Sequence, residues 1–216
     1  MPTGDHSFID IAVLDEVRER FAAGDALVLA NTELSEVIWA NGEGAALLDA
    51  PDIEAVIGTE PALGTVAKRQ IKALSGYPDI GRDRSLIVRM TRGLSSHAIP
   101  FQATGITLPG GEKAILLAVT SESGDVAERI IAGLSQPGQF VALVGAGGTV
   151  AASSPGFERI GLSAETLAGL VGQAAGQRDR LVKRMIAAGT RRVPAGLARL
   201  TDTANLLIVV DESLVD

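Results

Sequence analysis

The second half of this chain repeats the order of the first. After position 24 come ALVLA (26–30), polar NTELSE (31–36) and VIWA (37–40); after position 138, FVALV, GAGG and TVAAS follow in the same order. SSPGFERIGLSAETLAGLVG (153–172) then matches ANGEGAALLDAPDIEAVIG (40–58), and Gln177-Arg178-Asp179-Arg180 matches Gly81-Arg82-Asp83-Arg84. The KRM ending at Met185 matches the VRM ending at Met90, RVP (192–194) matches AIP (98–100), and LLIVVDES (206–213) matches LLAVTSES (116–123). Each repeat is long enough to bury its own core, so the duplication predicts two similar domains and not a solenoid. The boundaries expected are an N-terminal amphipathic helix (1–24), a first domain (25–123), a linker helix (124–138) and a second, shorter domain (139–216).

Each piece has a local signature. Ser7 and Asp10 have capping-box spacing, with Asp in place of the usual Glu or Gln. Val13, Leu14, Val17 and Phe21 recur at three- and four-residue intervals, opposite Asp15, Glu16, Glu19 and Arg20, so one helix is predicted up to Gly24. Its apolar stripe is the candidate dimer interface. ALVLA and VIWA around a polar tip read as a β-hairpin. Asn41 suits the start of a short helix because its side-chain oxygen accepts from free amides, and Pro51 opens another, ending near Gly58. A third helix is expected over about 62–75, with Val66, Ile71 and Leu74 apolar. SLIVRMT (85–91), HAIPFQATGITL (97–108) and AILLAVTS (114–121) read as strands, with Pro100 at an edge or bulge and PGGEK as a turn. GDVAERIIAGL (124–134) carries Val126, Ile130 and Leu134 in line and reads as an interdomain helix. In the second copy RLVKRMIAAGT (180–190) has a helical pattern. Either a helix replaces the third strand there, or SLIVRMT is not a strand.

Hairpin, Asn-led helix, short helices and three further strands, as in VIWAN-GEGAALLDA, -IEAVIG and HAIPF…LLAV, resemble the PAS fold. GRDRSLIVRMTRGLSSHAIPFQATGITL with PGGEKAILLAV resembles the amino-terminal sensory region of bacterial cell-division control histidine kinases of the PdhS group, related to PleC and DivJ. The resemblance implies an α+β chain of two tandem PAS-like domains, each an antiparallel sheet with short helices on one face. It also implies a regulatory role upstream of a kinase core in the same polypeptide, homodimerisation, and a DivK-type response regulator as downstream partner.

Composition narrows the chemistry. The 216 residues include no Cys, two His, one Trp, one Tyr and five Phe. Thiolate metal sites, cysteine nucleophiles and covalent flavin–cysteinyl chemistry are thereby excluded. Net charge is −7, which disfavours nucleic acid as a partner. Residues 1–60 carry thirteen Asp/Glu against Arg18 and Arg20, whereas beyond them seventeen Lys/Arg exceed thirteen Asp/Glu. Arg178, Arg180, Lys183, Arg184, Arg191 and Arg192 form the most basic stretch, read as a solvated face rather than a polyanion site because no aromatic interleaves it. No apolar run reaches the ~18–20 residues of a membrane span, and the start lacks the pattern of a secretory leader. A cytoplasmic location without membrane contact is therefore expected.

No catalytic constellation emerges. His97 precedes Ala98, Ile99 and Pro100 in a strand context, unlike a phosphoacceptor on a helix, and His6 has no partner pattern. GAGG at 145–148 would need Gly at 150 for a dinucleotide loop, where Val150 stands, and a helix directly after it. A nucleotide-using enzyme built on GAGG is the remote rival. No cofactor or metal is expected. The nearer rival is a ligand-gated sensor with a small-molecule pocket in the first domain, lined by Trp39, Asn41, Met90, His97 and Phe101; the competing reading makes Trp39 and Phe101 plain core. The favoured function is a sensory module acting by dimerisation and protein contacts.

Overall fold

The computed structural model describes residues 7–92, 95–121 and 124–214. Unit 1 is built from the described part of Gly24–Ser123, and unit 2 from Ser7–Ala23 with the described part of Gly124–Asp216. The N-terminal segment thus packs with the second unit. It is not one helix but two, α1 (Phe8–Ala12) and α2 (Arg18–Ala22). Ile9, Ile11, Ala12, Val13, Val17 and Phe21 are all buried. In a straight helix Ile11 and Val13 would point about 200° apart, so breaking the helix lets both sides reach the core. A helix this short has little stability of its own, and packing decides its path. The Asp10 carboxylate accepts the Ser7 backbone N–H at 2.9 Å, as the capping-box spacing predicts.

Unit 1 begins with the hairpin of β1 (Ala26–Asn31) and β2 (Val37–Ala40). Two helices follow, α3 (Gly42–Leu47) against β1 and α4 (Thr65–Lys72) against the next strand. Then come β3 (Arg84–Arg92), β4 (Ser95–Thr107) and β5 (Lys113–Val119). All pairs are antiparallel, in the order β2-β1-β5-β4-β3. The helix expected from Pro51 to Gly58 is instead a series of turns, with the amides of Val56 and Ile57 both donating to Ile53 O. Its buried isoleucine and valine, Ile53 and Val56, are three apart, so one turn suffices to bury both, while Ile57 is exposed. In α4 the core contacts come from Ala67 and Ile71, whereas Val66 faces solvent.

Unit 2 repeats the plan. α5 (Val126–Ile131) packs against the hairpin β6 (Gln139–Gly145) and β7 (Val150–Ser153). A 3-10 turn, α6 (Ala164–Gly176), β8 (Leu181–Ala188), β9 (Arg191–Arg199) and β10 (Ala204–Val210) complete it, in the order β7-β6-β10-β9-β8. The guanidinium of buried Arg129 on α5 donates to Ala23 O, just past α2. On one face of the sheet Leu167, Leu170, Val171 and Ala174 of α6 pack on Ala142, Val144, Ile186, Leu197 and Leu207.

β8 corrects the helical reading of 180–190. Its buried residues are Val182, Ile186 and Ala188, spaced four and two apart. Val182 and Ile186, four apart, fit either period, whereas Ala188, two further on, fits only the two-residue period, and pairing with β9 completes the strand. The register also corrects one match. Ile87 opposes Pro100 and Met185 opposes Pro194, so the counterpart of Met185 is Ile87, not Met90.

Candidate functional site

Asn41 ties the first hairpin to α3. Its Oδ1 accepts from the amides of Leu27 and Gly44, both at 2.8 Å, and its Nδ2 donates to Asp25 O at 2.7 Å. The side chain is fully buried, and its oxygen satisfies the Leu27 and Gly44 amides at the hairpin end and the helix start. Gly44 is obligatory here, since a Cβ would lie 2.0 Å from Leu27 O. Ser154 holds the matching place in unit 2, its hydroxyl accepting from Val141 N at 2.9 Å.

The sheet divides the five residues expected to line a pocket. Met90 opposes His97, and Phe101 lies four residues along the same strand, so these three share a face. Trp39 opposes Leu29, which opposes Leu116, which opposes Thr104. Thr104 is three residues from Phe101, which sets Trp39 on the other face. Trp39, Met90 and Phe101 are buried, His97 is exposed, and Asn41 is held in its three bonds.

A groove of about 620 Å³ does open in unit 1, and Phe101 borders it with Ser85, Leu86, Ile87, Pro100, Gln102 and Thr120. Ile87 is 66% exposed there. Its counterpart in unit 2, about 490 Å³, runs between Lys183, Met185, Pro194 and Gly196 on the sheet and Ser7, Phe8 and Ile9 of the N-terminal segment. There α1 is seated. Ile9 Cδ1 lies where a Cβ on Gly196 would meet it at 2.5 Å, and Lys183 Nζ bridges to Asp10 Oδ1 at 2.6 Å. Partial burial pushes the Asp10 carboxyl up, but hydrogen bonds from Lys183 and Ser7 and the Lys183 charge outweigh this and hold it below the ordinary Asp range. Arg180 pairs with Asp15 at 3.1 Å, and Arg18 donates to Leu200 O. Two members of the basic stretch are thus engaged by the acidic N-terminal segment.

Of the residues expected to form a dimer helix, Val13, Val17 and Phe21 are buried within unit 2 and Leu14 is half-buried. Phe21 also meets Phe8 edge-on, with ring centres 6.0 Å apart. Pairing through this stripe requires its release from unit 2. Neither Ile87 nor Gly196 stands out in the sequence. The signal that marks them is alternation along SLIVRMT and RVPAGLAR, read only once the cross-strand partners are known.

The remaining chemistry is sparse. Burial, and then the Glu33 charge, raise the Tyr77 phenol, whose hydroxyl donates to Thr32 O. Glu60 is lowered by the hydrogen bond and charge of Lys68. GAGG turns directly into β7, leaving no helix N-terminus after it for a phosphate. Among the described residues no three His, Asp or Glu gather to hold a metal, and no helix is long and apolar enough to cross a membrane. His6 lies outside the described residues.

No family model matches the chain. It is 40% identical over 215 residues, 99% of its length, to the cell-division control histidine kinase PdhS of Brucella anthropi. It is 40% identical over 213 residues to that of Brucella melitensis. The chain spans 20% of the length of each of these relatives. Among solved structures, the periplasmic domain of LuxQ from Vibrio cholerae aligns over 88% of this chain and 72% of its own, at 12% identity and a TM-score of 0.27. The chain therefore resembles the PdhS group over nearly its whole length.

Proposed function

We propose that this chain is the cytoplasmic sensory and regulatory region of a cell-cycle histidine kinase, built as two tandem PAS-like domains. The observation that carries the reading is 40% identity across 99% of the chain to one fifth of a cell-division control histidine kinase. The same proportion supports a kinase core elsewhere in one polypeptide, with this region free of catalysis. Two antiparallel sheets of identical strand order, flanked by few and short helices, fit the PAS-like assignment. The resemblance to the group further supports homodimerisation and a DivK-type response regulator downstream.

The region works through protein contacts in this reading. A small repacking of helices on a sheet becomes a shift passed along the chain. A chimera tests it: this chain replaces the matching fifth of Brucella anthropi PdhS, and autophosphorylation is followed with labelled ATP. A chimera that is active, and whose rate changes by about threefold or more on Gly196→Gln, supports the proposal. An active chimera indifferent to every change in this region overturns it. A ligand-gated sensor is the second reading, favoured by the 620 Å³ groove beside Phe101. Native mass spectrometry of freshly purified protein, showing a stoichiometric added mass, selects it.

A further inference from the structure

The two grooves are built on equivalent cross-strand pairs. In unit 1 Ser85 opposes Gln102 and Ile87 opposes Pro100; in unit 2 Lys183 opposes Gly196 and Met185 opposes Pro194. In unit 2 an amphipathic helix lies on this floor, with Ile9 on Gly196 and Asp10 on Lys183. In unit 1 no described helix lies among the residues that line the groove, and Ile87 is 66% exposed. Exposed Arg89 follows two residues later on the same strand face, opposite Ala98. Apolar Ile87 and Pro100 take the places of Met185 and Pro194, while the cation, Arg89, stands four residues along the strand from the place of Lys183, on the other side of Ile87.

We propose that the unit 1 groove docks an acidic amphipathic helix of a partner protein, with an aliphatic side chain on Ile87 and Pro100 and a carboxylate on Arg89. Charge complementarity points to an acidic helix, as it does for Asp10 and Lys183 in unit 2. A second copy of this chain has no such helix to spare. Its own acidic segment, residues 7–22, is held by Lys183 and Arg180 and by burial of Val13, Val17 and Phe21. Gln102 also fills the place that glycine leaves open for Ile9.

The probe is a fluorescent peptide of residues 7–22, titrated into the full chain and followed by anisotropy. Saturable binding is expected, about tenfold weaker with Ile87→Asp or Arg89→Glu, tighter with Gln102→Gly, and unchanged with Met185→Asp. Ile87 is exposed, so circular dichroism should find its variant folded. Three results overturn the proposal. One is absence of saturable binding to both the parent and the Gln102→Gly chain. Another is binding lost with Met185→Asp and kept with Ile87→Asp, which means that the peptide displaces α1 in unit 2. The last is a drop in molar mass by light scattering with Ile87→Asp, which assigns the groove to a second copy.

Discussion

Unit 1 and unit 2 share strand order and register yet stabilise the same joints differently. At the end of the first hairpin unit 1 uses buried Asn41 with three hydrogen bonds, and unit 2 uses Ser154, whose hydroxyl accepts from Val141 N. Next to the joint, Trp39 opposes Leu29 in unit 1, whereas Ala152 opposes Leu143 in unit 2. Between hairpin and third strand unit 1 has two short helices, and unit 2 has the 13-residue α6 with its own apolar cluster. On the sheet, unit 2 seats α1 over Gly196, while unit 1 leaves Ile87 exposed beside Gln102. One topology therefore tolerates two solutions at each joint: the unit 2 groove runs beside a seated helix, and the unit 1 groove has no described helix along it.

The largest expected effect concerns the joints. Asn41→Ala strands the Leu27 and Gly44 amides in the core, at about 1–3 kcal/mol each, so a loss of about 4 kcal/mol is expected in urea unfolding. Ser154→Ala strands one amide, and about 1 kcal/mol is expected. Equal losses at the two sites would break the contrast.

Next is the seat of α1. Gly196→Gln puts into unit 2 the residue that unit 1 carries, and overpacking against Ile9 should cost about 2 kcal/mol. Amide exchange in residues 8–22 should quicken while the α6 amides stay protected. If both segments quicken together, α1 is part of the unit 2 core and not a seated element.

The smallest effect is electrostatic. Folding depresses the Asp10 pKa, so its pairing with Lys183 contributes fully above the ordinary Asp range and is lost as pH falls through the lower folded value. Lys183 is about half exposed, which limits the contribution to about 0.5 kcal/mol. Lys183→Met should shrink the difference in α1 protection between pH 6 and pH 2.5, the Ser7 hydrogen bonds to Asp10 keeping the rest, and an undiminished difference would place the dependence elsewhere.

Much of this fold is legible in the sequence. The hairpins, the Asn41 cap and the strands around Pro100 follow from apolar runs, turn residues and the repeat itself. Pro100 is tolerated because β5 pairs with β4 only from Gln102 onward, so its missing N–H faces no partner there; Pro194 stands just outside the β10 ladder in the same way. What local patterns could not reveal is which unit the N-terminal segment joins. Val13, Val17 and Phe21 form an apolar stripe whatever they bury against, and a sheet of this chain serves as well as a second helix. β8 is ambiguous because the four-residue step from Val182 to Ile186 satisfies both periods, and only the burial of Ala188 and the pairing with β9 separate them. The grooves depend on cross-strand pairing, which no single strand carries in its own sequence.

In the proposed reading this region governs a kinase through protein contacts at one open sheet face. The most direct measurement compares Ile87→Asp with Met185→Asp in the PdhS chimera, following autophosphorylation in cell extract against purified buffer. Extract is expected to change the rate of the parent and of Met185→Asp, and Ile87→Asp alone to lose this response while keeping its basal rate. A response retained by Ile87→Asp at parent strength would contradict it.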